Sequence, residues 1–217
     1  MTLDLAEALR YLGAEETPEL RREISAVADK LTRVVRPRYV YRVFSLSHGP
    51  EGEVLEGGGV TLTGNSAKSM LAQCDQAVLL LCTLGAAFEN LLRAQQARAM
   101  ARAVMLDACG SAWVEAGCDE AERELAARFP DRFLTDRFSP GYGDLPLSLQ
   151  PGICAVLDAR RRLGVQVSPS FLMNPGKSVT AVIGLADRPQ MARVRGCAYC
   201  SMAKTCTLRK GGKTCAP

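Results

Sequence analysis

Tyr39-Val40-Tyr41-Arg42-Val43-Phe44-Ser45-Leu46, then His48-Gly49-Pro50-Glu51-Gly52, then Val54-Leu55, is the stretch on which the fold class turns. The first eight residues are mostly β-branched or aromatic and read as a strand. The five that follow are turn formers, which stop a strand and reverse it. Val54 to Leu62 reads as the returning strand, with Gly57-Gly58-Gly59 as a bulge or loop. Strands joined by so short a turn pair antiparallel, because a parallel pair needs a crossover of a dozen or more residues.

Upstream, Leu5, Leu9 and Leu12 predict a short helix. Thr17-Pro18-Glu19 reads as N-cap, N1 proline and first-turn acid of a second helix. Its apolar stripe is Leu20, Ile24, Val27, Leu31 and Val34, and Pro37 closes it. Downstream, Asn65 or Ser66 is placed to cap a short helix through Met70. The continuous apolar run from Gln76 to Leu84 predicts a buried strand. Residues 86–129 are rich in Ala, Leu, Glu, Arg and Met and predict more than one helix, with Gly110-Ser111 allowing close approach of another backbone. A helix is expected over 151–163, ended by Gly164. Strands are expected at 165–167 and 178–185, around the turn Asn174-Pro175-Gly176-Lys177. Strands and helices in this mixed order, with hairpin turns, predict an α+β fold: a mostly antiparallel twisted sheet packed with helices.

Of the 217 residues, 47% are hydrophobic and 23% charged, which is globular composition and excludes disorder along the whole chain. The net charge is +4, but residues 188–217 carry seven Lys and Arg and no acid, leaving residues 1–187 at −3. That break predicts one main domain over 1–187 and a basic, cysteine-rich tail over 188–217. Asp4, Glu7 and Arg10 interrupt the N-terminal apolar residues, so no secretory leader is read there. The longest apolar run, Ala77 to Cys82, is too short to span a bilayer, and a cytoplasmic protein with no membrane contact is expected. In that compartment the nine cysteines are expected as thiols or metal ligands, not disulfides.

Four of them are Cys197, Cys200, Cys206 and Cys215, spaced C-x2-C-x5-C-x8-C in a tail with few apolar residues. Thiolates at such spacing hold zinc or an iron–sulfur cluster, and the metal supplies folding energy that the tail lacks. Cys215 follows Gly211-Gly212 near the end, so a three-cysteine site with an outside ligand stays open beside the four-cysteine one. A redox dithiol at Cys197 and Cys200 is the weaker alternative, since no strand-then-helix context surrounds it. Cys74, Cys82, Cys109, Cys118 and Cys154 lie in helical or apolar stretches and are assigned to packing. His48, the single histidine, sits in a turn without a nucleophile motif, which argues against histidine acid–base catalysis. Asn174-Pro175-Gly176-Lys177-Ser178 lacks the first glycine of a phosphate loop, Phe171 standing there instead, and reads as a turn.

The most informative segment is Arg137-Phe138-Ser139-Pro140-Gly141-Tyr142-Gly143-Asp144-Leu145-Pro146. Pro140 fixes φ, and Gly141 and Gly143 permit close backbone approach. Arg137 can grip a carboxylate bidentately, and the face of Tyr142 suits a cation. A carboxylate, a cationic centre and a planar base together describe S-adenosylmethionine. On residue chemistry alone, a structural loop with a surface arginine is the stronger reading.

The order Arg137-x3-Gly141-Tyr142 followed by Pro169-Ser170-Phe171-Leu172-Met173-Asn174-Pro175-Gly176-Lys177-Ser178-Val179 resembles the activation domain of cobalamin-dependent methionine synthase. The helical stretch Leu106 to Ala116 resembles it more loosely, and the likeness covers about residues 80–187. In that family the domain binds S-adenosylmethionine and caps the cobalamin domain. One electron reduces the oxidised cobalt, and S-adenosylmethionine remethylates it. The resemblance implies that Arg137 holds the ligand's carboxylate, that Pro140, Gly141 and Tyr142 line the site, and that Glu115 contributes by approximate alignment. The chain has no cobalamin-binding motif, so the expected partner is a separate cobalamin-binding methyltransferase, with an electron donor protein. The rival expectation is a non-catalytic binding module of the same fold, holding a protein or nucleic acid through a metal-bound basic tail. Intact Arg137 and Tyr142 favour the first. The tail has Tyr199 as its single aromatic, which argues against nucleic acid.

Overall fold

Seven consecutive fully buried residues, Ala77 to Thr83, make the strand Gln76–Thr83 the middle of the molecule's sheet, as their unbroken apolar run requires. The computed structural model describes residues 1–190 together with 204 and 205. Cys197, Cys200, Cys206 and Cys215 lie outside the described residues.

The elements run in the order α1 (Leu5–Leu12), α2 (Pro18–Val34), β1 (Arg38–His48), β2 (Glu53–Leu55), β3 (Val60–Leu62), α3 (Asn65–Leu71), β4 (Gln76–Thr83), α4 (Gly85–Gln96), α5 (Met100–Arg128), β5 (Phe133–Leu134), a 3-10 turn (Leu147–Leu149), α6 (Gln150–Val156), α7 (Ala159–Leu163), β6 (Gln166–Val167), β7 (Met173–Asn174) and β8 (Ser178–Ala186). Six strands form one sheet in the order β3-β2-β1-β4-β8-β5. The pairs β1–β2, β2–β3 and β5–β8 are antiparallel. The α+β class is therefore as the hairpin predicted. Among the described residues no helix is long and apolar enough to cross a membrane.

The chain divides into two compact units, with β1, β4, α5 and β8 each contributing to both. The first holds Met1–Val40, Leu81–Arg123 and Asp158–Val179. Its helices start as the sequence dictates. The Asp4 side chain accepts from the Ala6 and Glu7 amides at the head of α1, and Thr17 Oγ1 accepts from Leu20 at 3.2 Å with Pro18 at N1 of α2. Ile24, Ala28 and Leu31 bury the inner stripe of α2. Two glycines of α5 set its packing distance. A Cβ on Gly117 would stand 2.5 Å from Pro37 and 2.6 Å from the Cys82 sulfur. A Cβ on Gly110 would enter the ring of the fully buried Phe88, so a side chain, not the expected backbone, makes that close approach.

The second unit holds Tyr41–Leu80, Glu124–Leu157 and the chain from Thr180. Three expectations are corrected, two in this unit and one where the chain passes into the first. Val54 to Leu62 is not one returning strand but the hairpin β2–β3, because Gly57 and Gly59 take φ of +69° and +62° and turn the chain back. Asn65 and Ser66 do not cap α3: Gly64 is its N-cap residue and offers no side chain. The helix expected over 151–163 is two, α6 and α7, broken at Asp158 with φ +51°. Gly164 ends α7 in the left-handed conformation, as read. In the first unit, Gln166–Val167 of the strand expected at 165–167 pairs with β7 as a separate two-stranded ribbon, while β8 belongs to the main sheet.

The five cysteines of the helical and apolar stretches are all buried, and none of them is in a disulfide. Burial pushes the Cys74 and Cys154 thiols up to about 11 and the Cys109 thiol to about 12, which suits packing groups and not nucleophiles.

Candidate functional site

The loop that begins at Arg137 is fixed from both ends, within the second unit. On the entry side, the chain runs on past β5 along β8. Thr135 donates to Gly184 O at 3.0 Å and accepts the Gly184 amide on Oγ1 at 2.8 Å. Phe138 exchanges backbone bonds with Val182 at 3.1 and 2.8 Å. Arg137 therefore projects, half-buried, from a backbone held on either side by the sheet edge. The sequence showed only a loop here, because two short strand residues and a single bridge leave no period-2 pattern.

Beyond Phe138 the chain folds on itself. Tyr142 donates to Ser139 O at 3.1 Å, Leu145 to Tyr142 O at 3.1 Å, and Gly141 to Leu145 O at 2.8 Å. Pro140 and Leu145 are buried, so they seat the loop, while Tyr142 is 73% exposed at its tip. At Gly143 the φ of +57° and the 2.7 Å from a would-be Cβ to Ser66 Oγ strain any side chain and would force Ser66 to shift.

Asp144 locks the turn to α3. Its carboxylate accepts the Asn65 amide at 2.6 Å and the Ser66 amide at 2.9 Å, a helix cap supplied from 79 residues away. Its side-chain bond to Ser66, with the Ser66 and Asn65 amides, holds this carboxyl below the usual carboxylate range. We expect Asp144→Ala to cost about 1 kcal/mol, the ordinary loss for a cap residue. A lowered folded pKa means that the stabilisation is complete above the unfolded value, near pH ~4, and is lost as pH falls through the folded value. Urea unfolding at pH 7 and again in acid checks this. The wild-type advantage over the variant must shrink in acid, and an advantage that grows there contradicts the assignment.

Glu115 lies on α5 in the first unit, half-buried and engaged with other groups. Arg137 is likewise engaged. The second stretch of family resemblance also belongs to the first unit, where its turn is tied to two helices. Gly176 donates to Glu89 Oε1 on α4 at 2.8 Å. The Lys177 ammonium donates to Asp107 at 2.9 Å and Ser111 at 2.8 Å on α5. Leu84 donates to Lys177 O at 2.9 Å, and Ser178 donates to Pro175 O at 2.7 Å. Lys177 is thus the anchor of a turn, consistent with the rejection of a phosphate loop. The Asp107 and Ser111 partners were not foreseen. Their spacing of four on one helix face is the signal that marks them. His48 is half-exposed, within 2.5 Å of the buried Glu53 carboxylate and 3.1 Å of Cys74 O, a structural tie between β1, β2 and the loop before β4. Among the described residues no group of three His, Cys, Asp or Glu side chains is placed to hold a metal.

No protein-family model and no curated protein matches the chain. Among solved structures it matches the crystal structure of the MetH reactivation domain bound to AdoHcy, with a TM-score of 0.66. The match covers 95% of this chain and 77% of that one, at 17% sequence identity. The fold is therefore that of a methionine synthase activation domain, as the Arg-x3-Gly-Tyr loop and the Pro-Gly stretch implied.

Proposed function

We propose that the chain binds S-adenosylmethionine at the loop Arg137 to Tyr142 and supports reductive remethylation of a separate cobalamin-dependent methyltransferase, such as a methionine synthase. The observation that carries this reading is the fold likeness, over 95% of the chain, to a reactivation domain crystallised with AdoHcy. The loop fits the ligand's chemistry. Arg137 offers a planar two-pronged donor for a carboxylate. Tyr142 offers an exposed ring, rich in electrons on its face, beside which a sulfonium gains attraction. Pro140 and Gly141 hold the backbone close, and Glu115 is the second-tier candidate. Bound there, S-adenosylmethionine supplies the methyl group for the partner's cobalt once one electron has reduced it. The chain's own residues bind and orient the ligand, and the cobalamin belongs to the partner.

Residues 1–187 act in this proposal as the activation-like domain, in the cytoplasm, and 188–217 as its appendage. Cys197, Cys200 and Cys206, with Cys215 as fourth ligand, bind one metal centre there. Three or four thiolates accept zinc or an iron–sulfur cluster alike. A cluster would relay the electron from a donor protein; zinc would make the tail a docking element. Metal analysis after anaerobic purification distinguishes them. A brown, oxygen-sensitive preparation indicates the cluster, and a colourless one with zinc indicates a structural site. No metal, together with a Cys197→Ser variant of wild-type stability and activity, rejects the tail assignment. Calorimetric titration with S-adenosylmethionine and with S-adenosylhomocysteine tests the main reading: saturable binding of both is expected, and no binding of either rejects it.

A further inference from the structure

The first unit carries an apolar cleft that the loop does not use. It lies between α2, α4 and α5, with a volume of about 300 Å³. Ala26, Val27, Leu91, Met105 and Leu106 line its floor, and Arg22, Lys30 and Arg102 stand at its rim with a single acid, Glu23. Arg22, Ala26 and Lys30 follow one another at four-residue spacing along one face of α2, so the cleft runs about 12 Å, two helical turns. An open trough of that length matches a helix laid in a groove, whose anchors recur at i, i+3, i+4 and i+7. The apolar surface continues past it at Leu92, Met100 and Val104, with Met100 62% and Val104 50% exposed, beside Asp107, whose charge is taken up by Lys177.

Charge selects the occupant. Arg22 is paired with Glu19 at 3.1 Å, whereas Lys30 and Arg102 make no ion pair among the described residues. From Asn90 to Leu106 the sequence holds Arg93, Arg98 and Arg102 and no acid. The chain's own tail, with seven bases and no acid, has the wrong sign to lie here.

We propose that this cleft docks an amphipathic helix of a protein partner, its apolar stripe on the Val27–Met105 floor and its acidic flanks against Lys30 and Arg102. The proposal does not depend on S-adenosylmethionine binding, so the failure of either leaves the other standing.

The test uses the full chain and two fluorescent helical peptides with the same leucine stripe, one flanked by glutamates and the other by lysines, followed by anisotropy. The glutamate peptide binds saturably and the lysine peptide at least about tenfold more weakly, with an affinity that falls as salt rises. The exposed double variant Lys30→Glu/Arg102→Glu loses about tenfold for the glutamate peptide while its circular dichroism is unchanged. Equal binding of both peptides, no binding, or an unaffected double variant overturns the proposal. So does binding to phosphatidylcholine–phosphatidylserine vesicles through Lys30 and Arg102 with no peptide binding, which makes the face a membrane contact. A concentration-dependent dimer dispersed by the same variant, with no peptide binding, assigns it to a second copy and overturns it equally.

Discussion

Trp113→Ala is expected to lower the unfolding free energy by about 4 kcal/mol, within the range for deleting a buried aromatic side chain. Trp113 is 1% exposed at the centre of α5. Its indole N–H donates to Val35 O at 2.8 Å, at the end of α2, so one side chain both fills the first unit's core and satisfies a helix-terminal carbonyl. Gly117, one turn further along α5, lets Pro37 and Cys82 close in beside it, and this tight packing leaves little freedom to collapse into the space. Against a total stability of about 5–15 kcal/mol the loss is large. Trp113→Phe separates the contributions: it keeps a ring and drops the N–H, and costs about 1–2 kcal/mol for the lost bond and the unmet carbonyl. Guanidinium unfolding followed by far-ultraviolet circular dichroism is the measurement, because the substitution removes the chain's one tryptophan. A loss of under about 1 kcal/mol for the alanine variant contradicts the packing described.

The contrast between β4 and α3 shows what a sequence can declare. The burial of β4 is legible because it needs only local information: a run of apolar residues of strand length. The cap of α2 is legible for the same reason, since Thr17 stands next to the turn it serves, while the Asp4 cap of α1 is a finding of the structure. The cap of α3 is not legible, because Asp144 comes to it through the fold, and its neighbours in sequence carry no sign of that use. Gly57-Gly58-Gly59 announced a departure from strand geometry, a bulge or a loop, and the structure makes it the turn of a hairpin. The break between α6 and α7 rests on Asp158 in a left-handed conformation, which a short polar side chain tolerates and a helical pattern conceals.

At the candidate site the division is similar. The stiffness of the 137–146 loop follows from its proline and glycines in sequence, while the exposure of Tyr142 is a finding of the structure. Its attachment along β8 through Thr135 and Phe138 depends on strands 40 and more residues apart, and no local pattern encodes it. The apolar cleft escaped for a further reason: Leu91, Met105 and Val27 look like ordinary core positions of amphipathic helices until the packing leaves them uncovered.

The decisive variant for the proposed function is Arg137→Ala, which is expected to weaken S-adenosylmethionine binding by roughly 1.5–3 kcal/mol, a factor of ~10 to 150, without unfolding the chain. The expectation rests on placement. Phe138 and Thr135 hold the backbone to β8 through main-chain and threonine bonds, and neither depends on the arginine side chain. The loop's own turn, through Gly141, Tyr142 and Leu145, and the Asp144 cap likewise survive its removal. Arg137→Lys keeps the charge and loses the planar fork, so it recovers part of the affinity at most. The comparison of ligands sharpens the assignment. A residue that grips the carboxylate affects S-adenosylmethionine and S-adenosylhomocysteine equally, because the two share that group. Tyr142→Leu, by contrast, removes an attraction for the sulfonium and weakens S-adenosylmethionine more than its uncharged product. Calorimetric titration of both ligands against the three variants reads all of this at once. An Arg137→Ala protein that stays folded and binds S-adenosylmethionine as the wild type does places the carboxylate elsewhere and removes the loop from the site.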